Sequence, residues 1–320
     1  MRIALIGFGT VGRAFARLLY SKRAVYPFRI TGVHTAHHGT AVDLAGLPPE
    51  PTFAASAASL DAFLEAAKPE IAIEVTTLNP ENGEPAITHI RNAFARGVHV
   101  ITANKGPIAH AYALLCREAR MAGVQFRFES TCMDGAPVFN MVRNNLPGVK
   151  ILGFTGALNS TSKVVVEAMR RGLTMEDGIE EARSLGIAEA DPSYDIDGWD
   201  SAAKAAALAN VLMDAGVTPQ QVDRRGIGQL TPKKIDEMSA KRKTPVLLSR
   251  ATRTATGVKL RVRAEVLDDT DPLACVKGTS NMLLLHTDLM GTVGTVSISP
   301  GVEQTAYGIF SDLVDIASTL

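Results

Sequence analysis

The chain has 320 residues, 46% hydrophobic and 21% charged, with 33 Lys plus Arg balanced by 33 Asp plus Glu. It is long enough for two domains, and its composition is that of a folded globular protein. Balanced charge gives no global field for nucleic acid or a membrane surface, and no window reaches the ~20 apolar residues of a spanning helix.

Arg2 to Ile6 is a short apolar run, the pattern of a buried parallel strand. It leads directly into Gly7-Phe8-Gly9-Thr10-Val11-Gly12, and then into a helical stretch with Val11, Phe15, Leu18 and Leu19 on one face. Strand, G-x-G-x-x-G, helix is the context in which this motif binds a dinucleotide. Gly7 permits the tight turn, Gly9 admits a pyrophosphate to the backbone, and Gly12 lets the helix pack close to the strand. The helix start at Thr10 and Val11 offers backbone N–H groups to the phosphates. The alternation continues with strands at 29–34, 71–75, 98–102 and 124–128 and helices at 60–67, 85–96 and 107–121. This predicts an α/β fold of the Rossmann type, a doubly wound parallel sheet over residues 1–130. Ligands in such sheets sit at the carboxyl ends of the strands, so Thr76, Thr77 and Thr102 to Lys105 are expected to face the cofactor. The second strand ends Val33-His34-Thr35-Ala36-His37-His38, without the acid that holds the ribose 2′-hydroxyl of NAD. That favours NADP over NAD, with His37, His38 and Arg13 as groups that could assist. The apolar N-terminal run is too short for a signal peptide. Cys116, Cys132 and Cys275 are odd in number and far apart, which points to reduced thiols and a cytoplasmic location.

The pattern changes after Thr131. A helix at 138–145 precedes strands at 151–158, 256–266 and 293–298, with helices at 162–171, 175–185, 198–215 and 231–237. This reads as a second, α+β domain over residues 131–304, a substrate domain built on an open, partly antiparallel sheet. A last helix is read at 305–320, with Tyr307, Ile309, Phe310, Leu313, Val314 and Ile316 as its apolar residues. Within Glu189 to Lys204, five carboxylates (Glu189, Asp191, Asp195, Asp197, Asp200) precede one lysine. Asp200 and Lys204 are i and i+4 on a helix and share a face. Lys204 is flanked by Ala202, Ala203, Ala205, Ala206 and Ala207, a small-residue surface suited to close burial.

Six segments together resemble homoserine dehydrogenase: GFGTVG at 7–12, TANKGP at 102–107, FEST and MDGAPV within 128–138, GALNSTS at 156–162, GIAEADPSYDIDGWDSAAK at 186–204 and VKGTSN at 276–281. The resemblance implies NAD(P)-dependent oxidoreduction between L-homoserine and L-aspartate 4-semialdehyde. It implies acid–base work by Lys204 and Lys105, with Asp200 orienting Lys204 and touching the substrate hydroxyl. Glu189 and Asp195 would hold the substrate ammonium, and Thr161 would shape the pocket. Lys105 would also touch the cofactor. A monovalent cation would be held by the Glu129 side chain and the carbonyls of Cys132, Asp134 and Ala136. The family also implies a homodimer built through the sheet after Gly148.

The sequence departs from the family pattern at Ser160, where a glycine is usual, at Asp134 within a usually glycine-rich stretch, and at Glu303, near where a glycine would approach the nicotinamide. The expected chain is a catalytic core without a regulatory domain for threonine feedback.

Overall fold

The structure, a computed structural model, describes residues 1–188 and 191–320. They form two compact units, residues 1–140 with 301–320, and residues 141–300.

The first unit contains β1 (Arg2–Ile6), α1 (Thr10–Lys22), β2 (Arg29–Thr35), β3 (Gly39–Val42), α2 (Leu60–Ala67), β4 (Ile71–Glu74), α3 (Ala86–Ala95), β5 (His99–Thr102), α4 (Lys105–Met121) and β6 (Phe126–Arg127). Its sheet runs β3-β2-β1-β4-β5-β6. All neighbours are parallel except β3, which pairs antiparallel with β2 and turns the expected parallel sheet into one with an antiparallel edge. The hairpin was not legible because β3 is only four residues and follows the histidine turn at once.

Register explains how the layers pack. Ala4 stands opposite Gly32 and Ala72, and Ala72 opposite Val100, so these small side chains line one face. A Cβ on Gly32 would lie 2.5 Å from Ala67 and 2.7 Å from Phe63, so α2 lies almost against the backbone there. Ile3, Leu5, Ile71, Ile73 and Ile101 point the other way. They form one buried cluster with Phe15 and Leu19 of α1 and with Ile309, Phe310, Leu313 and Ile316 of the C-terminal helix, Val302–Ala317.

The second unit begins within α5 (Phe139–Asn145). It contains β7 (Ile151–Ala157), α6 (Ser160–Arg170), α7 (Met175–Ser184), α8 (Ser193–Ile196), α9 (Trp199–Met213), β8 (Asp223–Arg224), α10 (Pro232–Ser239), β9 (Lys243–Thr254), β10 (Gly257–Asp268), β11 (Asn281–Thr287) and β12 (Thr292–Ser297). The sheet order is β12-β11-β7-β9-β10-β8, antiparallel except where β8 joins β10. Two central strands, β9 and β11, were not predicted. β9 carries Pro245 and Arg250, which read locally as interruptions. Across the sheet, however, Arg250 is held by Glu265 of β10 at 2.8 to 3.0 Å.

Candidate active site

The nucleotide end is built from the first turn of the chain. Gly7 has φ +98°, and a Cβ there would meet the Val75 carbonyl oxygen at 2.7 Å. Gly12 would place a Cβ 3.2 Å from the Gly7 carbonyl oxygen, so helix and turn are in contact. A Cβ on Gly9 would meet nothing within 4 Å. Gly9 is exposed and caps α1 without a side-chain hydrogen bond, and the first turn at Thr10 and Val11 is open to solvent. An uncapped helix start beside an open glycine is the arrangement that receives a pyrophosphate. A cleft of about 430 Å³ continues from it, lined by Gly7, Phe8, Gly9, His34 to His38, Val75, Thr76, Thr77 and His89. These residues fit a dinucleotide.

Beneath the cleft lies a group not identified from sequence. Glu74 ends β4 fully buried. It accepts from the Thr76 N–H at 2.9 Å, from the Thr76 hydroxyl, and from the Thr102 hydroxyl at 2.9 Å. Thr102 therefore does not face the cofactor as expected, because its hydroxyl is turned inward to bind the ends of β4 and β5 together. The Thr102 oxygen in turn accepts from the Asn104 N–H at 3.0 Å, and Asn104 caps α4 by accepting from the Gly106 N–H at 3.0 Å. Lys105 emerges from this capped start as the first residue of α4.

Arg13 does not stand free beside the cleft. It pairs with Glu50 at 3.1 Å. Nor is Glu303 among the residues lining the cofactor cleft. It lines a separate hollow with Ala14, Arg17, Leu18 and Ser21.

At the expected cation site, Glu129 is engaged with the protein's own backbone. Glu129 is buried and accepts from the N–H groups of Val138, Phe139 and Asn140 at 2.6, 2.9 and 2.6 Å, bracing the start of α5. Cys132 is buried, and Asp134 and Gly135 both take positive φ. Gly135 lies so close to the C-terminal helix that a Cβ would be 2.2 Å from the Gln304 carbonyl oxygen. The Ala136 N–H donates to the Met133 carbonyl at 2.9 Å, closing this turn. No group of three His, Cys, Asp or Glu side chains with metal-site geometry occurs among the described residues.

The polar constellation of the second unit converges on α6, α8 and α9. Lys204 donates to Asp200 Oδ2 at 3.0 Å and to the Leu158 carbonyl at 2.7 Å. The five alanines around it are each at most 2% exposed, so the pair sits on a tightly packed surface. Asn159 is the hub, and it was not singled out from sequence. Its amide donates to Asp195 Oδ1 at 2.7 Å and Asp200 Oδ2 at 3.1 Å, and its oxygen caps α6 by accepting from the Ser162 N–H at 2.8 Å. Thr161 donates to Asp195 Oδ2 at 2.7 Å. Thr161, Asp195, Asp200 and Lys204 are thus brought together. Glu189 lies outside the described residues. Ser160 turns its hydroxyl towards the Thr279 carbonyl at 3.4 Å. A buried lysine, Lys163, stands behind the turn and donates to the Asn159 carbonyl at 3.0 Å. Asp191 and Asp197 stay out of the cluster: Asp191 accepts from the Ser193 N–H, and Asp197 is exposed.

Electrostatics follow from this packing. Burial first, and Asp200 second, raise the Asp195 carboxyl above its ordinary value, against the hydrogen bonds from Thr161 and Asn159 and the charge of Lys204. The Tyr194 phenol is pushed up by burial and by Asp200 and Asp195, so it stays protonated. The site therefore holds a lysine oriented by one carboxylate, beside a second carboxylate in a less favourable setting. That combination can accept a proton from a hydroxyl and bind a small cationic group.

Comparison with known proteins agrees with this construction. The family model described as homoserine dehydrogenase matches residues 137–314, and the model of that enzyme's NAD-binding domain matches residues 7–129. An NAD(+)-dependent homoserine dehydrogenase from Pseudomonas canavaninivorans is 34% identical, over 98% of this chain and 96% of that protein. A structure from Archaeoglobus fulgidus assigned to homoserine dehydrogenase superposes with a TM-score of 0.89 at 30% identity, covering 99% of both chains. A hyperthermophilic archaeal homoserine dehydrogenase in complex with NADPH gives 0.84 at 28% identity, covering 100% of this chain and 98% of that one. With a nucleotide-binding turn in one unit, a lysine–carboxylate cluster in the other, and both family models matched in order, the chain belongs to the homoserine dehydrogenase family.

Proposed function

We propose that the protein interconverts L-homoserine and L-aspartate 4-semialdehyde using NAD(P). The observation that carries this reading is the cluster of Lys204, Asp200, Asn159, Asp195 and Thr161, joined by bonds of 2.7 to 3.1 Å. The nicotinamide cofactor, when bound, supplies the hydride acceptor or donor. In alcohol oxidation Lys204 takes the hydroxyl proton, and Asp200 fixes the amine towards it. In the reverse direction Lys204 returns that proton to the aldehyde oxygen. Asp195, together with Glu189, holds the substrate ammonium, while Thr161 orients Asp195. Lys105, at the end of β5, is the second acid–base lysine and contacts the cofactor. Gly7, Gly9, Thr10, Val11 and Gly12 cradle the pyrophosphate, and Thr76 and Thr77 border the cleft.

The finer readings follow from the same observations. The end of β2 without an acid supports NADP. A monovalent cation at Glu129, with the carbonyls of Cys132, Asp134 and Ala136, is supported by the family resemblance. A homodimer is supported by the second sheet. Met282 and Val296 stand opposite each other in β11 and β12, alternating with buried Leu283, and Val296 is 48% exposed.

The test is homoserine oxidation followed at 340 nm with NAD and with NADP, alongside a panel of other small hydroxy and amino acids. Homoserine as the best substrate is the expected result. Turnover of another hydroxy acid with none of homoserine would overturn the substrate assignment.

A further inference from the structure

We propose that Glu50 sets the balance between NAD and NADP by holding Arg13, whose guanidinium lies over the Phe8 wall of the nucleotide cleft. This rests on the NAD(P)-binding reading above. No acid closes β2, so by the usual rule nothing there repels a 2′-phosphate. The fold brings a carboxylate to the neighbourhood from a distant part of the sequence.

Arg13 directly follows Gly12 in the first turn of α1. Helical side chains lean towards the helix start, and its guanidinium lies 5.2 Å over the ring of Phe8, a residue of the cleft wall. There it pairs with Glu50 Oε2 at 3.1 Å, and Arg17, one turn on, reaches Glu50 Oε1 at 3.4 Å. Each carboxylate oxygen thus takes one arginine. The segment carrying Glu50 is anchored by Phe53, which packs edge-on against Phe8 at 5.9 Å and against His38 at 6.2 Å, both cleft residues. His34, also on the wall, is lowered by burial and by His89, so it supplies no positive charge at neutral pH. Arginine is the side chain whose fork suits a phosphate. In this protein the fork beside the cleft wall, that of Arg13, is already matched to a carboxylate.

The consequence is differential. NADP brings a further charge of about −2 to this corner, and it must displace or tolerate Glu50. NAD brings a hydroxyl, which the carboxylate can accept from. Removing one negative charge at roughly 8 Å through a water-like dielectric favours a dianion by about five- to tenfold. The preference should fade in high salt, where the screening length falls to ~3 Å at 1 M.

The test is Glu50→Gln, with wild type and variant titrated calorimetrically at low salt with 2′,5′-ADP and with ADP, which lacks the 2′-phosphate. The expected result is that 2′,5′-ADP tightens about five- to tenfold more than ADP does. The ratio of kcat/KM for NADP over NAD should rise by the same factor. Adding Arg13→Ala should cancel the gain, and Glu50→Lys should enlarge it. Circular dichroism verifies folding of each variant. Equal changes for both probes, or a gain that survives Arg13→Ala, would overturn the role of Glu50. Wild type binding neither probe nor either cofactor would overturn the nucleotide reading as well, and so separates the two failures.

Discussion

Asn159 joins fold and chemistry in one side chain, and two substitutions separate its jobs. Asn159→Ala removes the cap of α6, a loss of about 1 kcal/mol. It also removes two hydrogen bonds to carboxylates, each worth about 1.5–3 kcal/mol. Asn159 is 2% exposed, so water replaces these bonds incompletely and the second unit should lose roughly 4–7 kcal/mol. Asn159→Asp keeps the capping oxygen. It places a third carboxyl where the amide had stood 2.7 Å from Asp195 and 3.1 Å from Asp200. Like charges about 4 Å apart at an effective dielectric of 20 repel by about 4 kcal/mol. The new group therefore binds a proton in the folded protein, and its folded pKa is raised above the unfolded value. The sign follows: its stability cost is absent below the unfolded aspartate value of about 4 and grows as pH rises through the folded value. Asn159→Asp should thus come closest to wild type in denaturant unfolding at about pH 4, be markedly less stable at pH 8, and be impaired in kcat/KM most at pH 8. Equal stability at both pH values together with wild-type turnover would refute the argument that Asn159 holds the two carboxylates together.

The remaining predictions test the other groups singly. Lys204→Ala should lower kcat by about 10²–10⁴-fold while cofactor binding survives, and Asp200→Ala should be strongly non-additive with it, because the two are bonded at 3.0 Å. Near-normal turnover of Lys204→Ala would remove the proposed base. The raised Asp195 carboxyl costs folded stability as pH climbs from 3.8 through its folded value, so Asp195→Asn should be more stable than wild type at pH 7, with the gap closing towards pH 4. Substrate KM should rise in the same variant, and a less stable Asp195→Asn would contradict the assigned sign. Gly9→Val has room in the ligand-free fold and should remain folded yet lose NAD(P), whereas Gly7→Ala meets the Val75 backbone at 2.7 Å and should unfold more readily. Retained cofactor affinity in folded Gly9→Val would sink the cradle.

What the sequence discloses about this protein depends on how far apart the interacting residues lie. The nucleotide turn was legible because its glycines, strand and helix are contiguous in sequence. The Asp200–Lys204 pair was legible because helical periodicity alone places i and i+4 together. Asn159 was not, since nothing local separates a helix-capping asparagine from one that also bridges Asp195 and Asp200, 36 and 41 residues away. Glu74 was hidden for the opposite reason: a lone acid ending an apolar strand resembles a solvated terminus until Thr76 and Thr102 turn their hydroxyls to it. β9 was obscured by Arg250, whose neutralising Glu265 belongs to the next strand.

Glu50 carries this point into cofactor choice. The rule that assigns NAD or NADP reads the last residue of β2, because in most such folds the acid that meets the ribose is covalently close to it. Here β2 turns back at once into β3, and the next acid to approach the cleft comes from beyond that hairpin. Its effect is exerted through Arg13, a residue of the glycine turn itself. A motif-based assignment sees an acid-free strand end and an arginine after the third glycine, both of which favour a phosphate. The folded chain adds the carboxylate at 3.1 Å that opposes them. On the proposal made above, cofactor preference is a balance among charges brought together by tertiary structure, and altering Glu50 should shift it without altering any residue of the motif.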